Sequence, residues 1–195
     1  MEITTDLIKE LRAATKVSVM QCKKALVETE GDIEKAKILL RKLSAKSADK
    51  KSDRELGAGV VSSYIHGNGS VGAMVELLCE TDFVSNNEEF KKIGYDIAMQ
   101  VAANSPEFIT SEEIKEEDKA KATELFKEEA SDKPSEMQEK IIQGKLDSYF
   151  GEKTLMNQSF IKNPEQTITN VIEEASQKFG EKVIIGRVER FSISG

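Results

Sequence analysis

Apolar residues recur at helical spacing three times within the first fifty positions. Leu7, Ile8 and Leu11 follow Thr4 and Thr5, either of which can cap a helix, and Asp6 sits where its charge favours the first turn. Ser18 and Gln21 have the spacing of a capping box and open a second helix through Cys22, Ala25 and Leu26, which Gly31 ends. Asp32 then caps a third helix whose buried stripe is Ile33, Ala36, Leu39, Leu40 and Leu43. Residues 1–45 therefore predict a three-helix bundle with a small core, marginal in stability and of the kind that usually binds something.

From Arg41 to Arg54 the chain carries six basic and two acidic residues, and between Leu43 and Leu56 only two alanines are apolar. Residues 46–56 read as a basic linker, a solvated tether or a frayed helix tail, with contact to RNA or to an acidic protein surface as the functional alternative. The period then changes. Alternation through Val60, Ser62 and Tyr64, a turn at His66-Gly67-Asn68-Gly69-Ser70 and a second apolar run up to Cys79 predict a β-hairpin. His66, the only histidine, falls at the turn and reads as a solvated turn residue, because a general base needs positioned partners. Helical spacing returns with Phe90, Ile93, Ile97, Ala98, Val101 and Ala102 and stops at Asn104-Ser105-Pro106.

Thr110 to Phe150 reads as a helical hairpin broken at Pro134. Thr110 and Glu113 have capping-box spacing ahead of an arm with Ile114, Ala122, Leu125 and Phe126. Ser135 and Gln138 have it ahead of an arm with Met137, Ile141, Ile142, Leu146 and Tyr149. A helix over 167–178 and a third strand in "EKVIIGRVERFSI" complete the pattern. Strand, strand, helices, strand implies an α+β fold, with a three-stranded antiparallel sheet and packed helices over residues 57–195.

Composition narrows the function. The 195-residue chain is 38% hydrophobic and 32% charged, the balance of a polar but foldable protein. A net charge of -7 argues against direct DNA binding through the whole surface, leaving only a local basic patch. The N-terminal stretch carries acids early and has no apolar core for a signal peptide, and no run approaches the roughly 20 residues of a membrane span, so a cytoplasmic protein is expected. Cys22 and Cys79 are then expected reduced. No Cys/His cluster has metal-ligand spacing, and neither a P-loop nor a dinucleotide fingerprint appears, so no catalytic residue, metal or cofactor is assigned. A binding protein is the reading that remains.

Several motifs in order carry a resemblance: "MQCKKAL" and "GDIEKA" in the bundle, "TDFVSNNEEFK" after the hairpin, "VAANSPEFI", "GKLDSYFGEKTLMNQSFIKNP" and the "TI" at Thr167-Ile168. Over nearly its whole length the chain resembles the bacterial elongation factor Ts family, nucleotide-exchange factors of elongation factor Tu. The resemblance implies a ubiquitin-associated-like bundle, a flexible join and a dimerisation-type core in the compact form with one core subdomain, which leaves a homodimer open. It implies that the factor binds the GDP complex of elongation factor Tu and that Thr81, Asp82, Phe83 and Val84 dislodge its magnesium. It also implies N-terminal contacts through Arg12, Val19, Met20 and Lys23. Lys16, Ser18 and Gln21 depart from the family pattern in the docking loop, and Ala58 replaces an acid common before Gly59.

Phe83 is where the two kinds of reading part. Composition makes it a core residue, since phenylalanine is usually buried, whereas the resemblance makes it a wedge facing a partner. Thr81 or Asp82 can cap the following turn and set its direction. Two rivals come from other classes: an adaptor or nascent-chain-binding protein using the bundle, and an RNA-binding factor using the basic linker.

Overall fold

The computed structural model describes residues 3–15, 17–130 and 134–193, apart from the side chains of Ser135 and Glu136. Of the two candidate first caps it is Thr4 that acts, its hydroxyl accepting from the Leu7 amide at 3.3 Å to open α1 (Thr5–Thr15). Ser18 opens α2 (Val19–Glu28) by accepting from the Gln21 amide, while its hydroxyl donates to Gln21 Oε1 at 3.0 Å, so half of the expected capping box is replaced by a side-chain pair. Asp32 caps α3 (Ile33–Asp49) through the Lys35 amide at 3.0 Å. Leu11, Cys22, Leu26, Ala36 and Leu40 form the buried core of these three helices.

β1 (Ala58–Ile65) and β2 (Val71–Cys79) pair antiparallel around a turn in which Gly69 takes φ 71°, a conformation that costs a Cβ-bearing residue free energy. His66 closes that turn, donating its amide to Val71 O at 2.8 Å, and stays in solvent. A single helical turn, α4 (Asp82–Ser85), leads into α5 (Glu88–Asn104). Asn87 caps α5 through the Glu89 amide at 2.9 Å. Phe90, Ile97, Ala98 and Val101 of α5 meet Val75 and Leu77 of β2 in the main core. Gly94 lets α5 approach β1 closely: a Cβ there would lie 2.4 Å from Ser62 Oγ.

The expected Thr110–Glu113 capping box is absent. Residues Ser111–Glu113 form a 3-10 turn, Glu113 instead accepts from the Ile109 amide at 2.7 Å, and α6 (Glu116–Ala130) starts later. α7 (Ser135–Lys153) packs on α6, with Phe126 edge-on to Tyr149. The cap expected from the Ser135 side chain lies outside the described residues. Leu125 and Met137 are exposed, because each arm is covered mainly on the side of the other. A two-stranded ribbon, β3 (Ser159–Phe160) and β4 (Asn163–Thr167), has no alternating hydrophobic signature, and the sequence pattern does not predict it. Buried Gln100 holds it, donating to Ser159 O and accepting from the Ile161 amide at 2.8 Å.

Thr167 and Asn170 make a complete capping box for α8 (Ile168–Phe179), and β5 (Ile184–Ser192) then pairs antiparallel with β2 to give the order β1-β2-β5. The fold is thus mixed helix and strand with one three-stranded antiparallel sheet, as the sequence pattern predicts. Among the described residues no helix is long and apolar enough to cross a membrane.

The basic segment differs from a solvated tether. α3 continues to Asp49, with Leu43 exposed and Ser44 taking the buried position against Gln177 of α8. Lys51 is buried and donates to Ser176 O at 2.7 Å, and Arg54 pairs with Glu80 at 3.0 Å. The reason is geometric: α3 is long enough for its last turns to lie on α8, whose backbone and side chains supply acceptors that local sequence does not reveal.

Gly94→Ala should destabilise the chain by about 1–3 kcal/mol by overpacking the contact of α5 with β1, and Ser62→Ala in the same chain should recover part of the loss. Urea unfolding of the two single variants and the double variant measures both.

Candidate partner-binding site

β2 ends at Cys79, which is fully buried, and its thiol donates to Thr81 O at 3.3 Å. Burial, with the negative charge of Glu181 adding to it, holds the thiol above its ordinary pKa, so both position and protonation suit a structural thiol. The next residues form α4, one turn whose successive side chains are rotated by about 100°. Val84 turns inward and is 3% exposed, and Ser85 is buried beside it. Phe83 consequently points out and is 83% exposed. The core reading of Phe83 is therefore excluded. Burying such a ring is worth roughly 1.5–3 kcal/mol, none of which this fold collects.

The direction of the turn has a different source from the one its sequence suggests. Thr81 occupies the cap position but caps nothing, and no hydrogen bond to the Asp82 carboxylate is present among the described residues. The Thr81 hydroxyl donates to Glu181 Oε1 at 2.5 Å. Glu181 Oε2 accepts from the amides of Glu80 and Thr81, both at 3.0 Å. In return the Glu80 carboxylate accepts from the Lys182 amide and from Arg54. That amide first, then the Arg54 guanidinium, hold the Glu80 carboxyl below its ordinary range. Glu181 lies 100 residues beyond Thr81, and no periodicity or capping rule links the two.

Of the four residues expected on this turn, Thr81, Asp82 and Phe83 are accessible, while Val84 is a correction: it anchors the turn from beneath and cannot face a partner while the turn is folded. The N-terminal candidates lie on two helices. Arg12 is exposed on α1, and Val19, Met20 and Lys23 are exposed on α2, Met20 to 69%. Val27 shares a helical face with Met20 and Lys23 and is also exposed, an apolar position the sequence reading missed because a valine at helix spacing is ordinarily assigned to a core. Lys16 lies outside the described residues. Ser18 and Gln21 are occupied with one another at the α2 cap, and Ala58 pairs opposite Cys79 at the start of β1.

Residues 3–194 match the family model described as Elongation factor TS. The chain belongs to the elongation factor Ts family. Elongation factor Ts of Thermodesulfovibrio yellowstonii is 44% identical over 194 residues, covering 99% of this chain and 97% of that protein. Elongation factor Ts of Thermotoga neapolitana is 41% identical over 193 residues, covering 99% and 98%. Elongation factor Ts of Syntrophomonas wolfei is 42% identical over 193 residues, covering 98% and 90%. Near-complete coverage on both sides brings the Phe83 turn and the exposed face of α2 within the part matched to elongation factor Ts.

Two outcomes are expected. Phe83→Ala should change unfolding free energy by less than about 0.5 kcal/mol, whereas Phe90→Ala, which empties a fully buried site, should cost about 3–5 kcal/mol. Ionised Glu80 stabilises the fold above the ordinary glutamate value of 4.5, and this contribution is lost as pH falls through its lowered folded value. The stability gap between the wild-type chain and Glu80→Gln should hold steady near neutral pH and close below pH 4.5 in urea titrations run across pH.

Proposed function

We propose that the chain is the guanine-nucleotide exchange factor of elongation factor Tu in translation elongation, binding the GDP complex and promoting GDP release and GTP reloading. The observation that carries this reading is an exposed Phe83 on a pinned turn in a chain of the elongation factor Ts family. The work required is linkage and needs no bond making: a factor whose binding weakens nucleotide binding is itself weakened by nucleotide to the same extent. The bound nucleotide depends strongly on magnesium at its phosphates, so an aromatic ring that displaces the element holding the metal removes a large electrostatic contribution.

In this reading Phe83 is the wedge, Asp82 and Thr81 flank it, and the ubiquitin-associated-like unit of residues 1–45 adds affinity through Arg12, Val19, Met20 and Lys23. Residues 46–56 join that unit to the core of residues 57–195. The RNA-binding alternative loses support because Lys51 and Arg54, two cations of the basic segment, are turned onto protein acceptors. An adaptor built on the bundle gives no account of the exposed Phe83, which lies outside the bundle.

The possibility of a homodimer rests on the sheet. Its outer face carries Val61, Ile65, Met74 and Phe191, all exposed, while the helices cover the other face. We propose that two copies bury this face against each other by a two-fold axis, since a self-complementary apolar patch satisfies an isologous contact. Phe191→Glu should convert a dimer to a monomer in light scattering, and a wild-type chain that is monomeric at high concentration removes the proposal.

Release of labelled GDP from elongation factor Tu tests the main reading. Phe83→Ala should slow stimulated release by at least roughly tenfold, equivalent to about 1.4 kcal/mol of coupling, without loss of the fold. Met20→Ala should weaken complex formation, and high free magnesium should oppose the wild-type factor. A folded Phe83→Ala chain that releases GDP at the wild-type rate rules out the wedge.

A further inference from the structure

α4 has four residues, too few to hold its own direction, because a single turn fixes several dihedral angles for few hydrogen bonds. Its expected caps do not act. The orientation of Phe83 must come from outside the turn, and the side chain that grips both amides immediately ahead of it is Glu181, while the Cys79 thiol holds the Thr81 carbonyl. One carboxylate there accepts three hydrogen bonds from two consecutive residues, and bonds to a charged acceptor are the stronger kind.

The segment that carries Glu181 also receives the chain leaving the N-terminal helices. Lys182 Nζ donates to Ser52 O and to Arg54 O, and Arg54 Nη1 donates to Gly180 O at 3.3 Å as well as to Glu80. Residues 180–182 therefore touch both the segment leaving α3 and the residues leading to Phe83. The Glu80–Thr81 backbone is thereby tied both to the strand leading into β5 and, through Arg54, to the chain leaving α3.

We infer that Glu181 is a positioning residue: it presents Phe83 by clamping the Glu80 and Thr81 amides. This rests on the exchange reading above. Glu181 itself need not touch the partner, so its effect runs through geometry, and a neutral isostere can replace it. A glutamine carbonyl oxygen can accept both amides, and its NH2 can donate to Thr81 Oγ1, with the hydroxyl reversing its role.

The test uses the full chain with Glu181→Ala, Glu181→Gln and Phe83→Ala. Amide hydrogen exchange at Glu80 and Thr81 is measured in the free protein, with Val75 and Leu77 of β2 reporting the fold. Maximal stimulated GDP release is measured at saturating factor, together with the concentration giving half of it. Glu181→Ala should speed exchange of the two amides by roughly tenfold while β2 stays protected. It should lower maximal release by about fivefold with little change in the half-maximal concentration, as expected for loss of an interaction that acts at the transition rather than on binding. Glu181→Gln should restore most of both.

Three results overturn the inference. Release at the wild-type maximum in Glu181→Ala, with Phe83→Ala slow, removes the positioning role and leaves the exchange reading standing. Glu181→Gln as slow as Glu181→Ala shows that charge acts and geometry does not. Phe83→Ala at the wild-type rate removes the exchange reading, and the inference falls with it. If Glu181→Ala loses β2 protection, Glu181→Asp takes its place with the same outcomes, since it keeps the charge but withdraws the carboxylate by one methylene.

Discussion

The pairing of β5 with β2 is the constraint from which the rest of the structure follows. A two-stranded hairpin in water is marginal, and β1 with β2 alone would leave Val75 and Leu77 without enough floor beneath α5. Closing the sheet with a strand from the far end of the chain supplies Ile185 and Val188 beside them. The register is tight at that end: Leu78 faces Ile184 and Leu77 faces Ile185. One irregularity follows, where Gly186 and Arg187 oppose Glu76, and Arg187 clasps the Glu76 carboxylate there. With Ile184 fixed opposite Leu78, the residues before β5 run past the end of β2. Lys182 then meets Glu80, and Glu181 meets Thr81, as a consequence of strand pairing.

This explains what could and could not be read in the sequence. The three N-terminal helices, the hairpin, α5 and α8 were legible because each rests on periodicity with a cap or turn within a few residues, as with Asp32 and Lys35 or the turn at residues 66–70. The third strand was legible from its own apolar pattern. The ribbon was not, since Asn163 to Thr167 pair with β3 through backbone, and the distant Gln100 holds the ribbon at Ser159 and Ile161. The Thr110–Glu113 box failed because the Ile109 amide competed for Glu113 and won. For the candidate site, the position and outward direction of Phe83 were legible through family motifs, whereas composition alone pointed to burial. The clamp on it joins residues about a hundred positions apart, for which local chemistry offers no signal.

Exposure of Phe83 also separates stability from function in energetic terms. Inward Val84 and buried Cys79 and Ser85 attach the turn to the core, so the fold does not need the ring. Solvation of an exposed aromatic costs the free chain an opportunity of roughly 1.5–3 kcal/mol, which becomes available to any surface that covers it. Met20 and Val27 on α2 are in the same condition. The chain thus keeps apolar surface uncovered on the Phe83 turn, on α2 and on the outer face of the sheet while its two cores are buried, which is the distribution expected of a protein selected to bind.

How much of that stored burial reaches a partner depends on how little is lost in ordering the turn. A loose turn would have to be fixed at the moment of binding, at about 1–2 kcal/mol of backbone entropy per residue, comparable to the whole gain from covering the ring. The three bonds to Glu181 and the two that Glu80 receives in return remove that cost beforehand, because the ordering is done when β5 joins the sheet. Folding and binding are connected at this turn. The same strand pairing that completes the core also sets the Phe83 backbone in the free chain, so in the exchange reading proposed above the free energy of covering the ring goes into changing the partner rather than into shaping the factor.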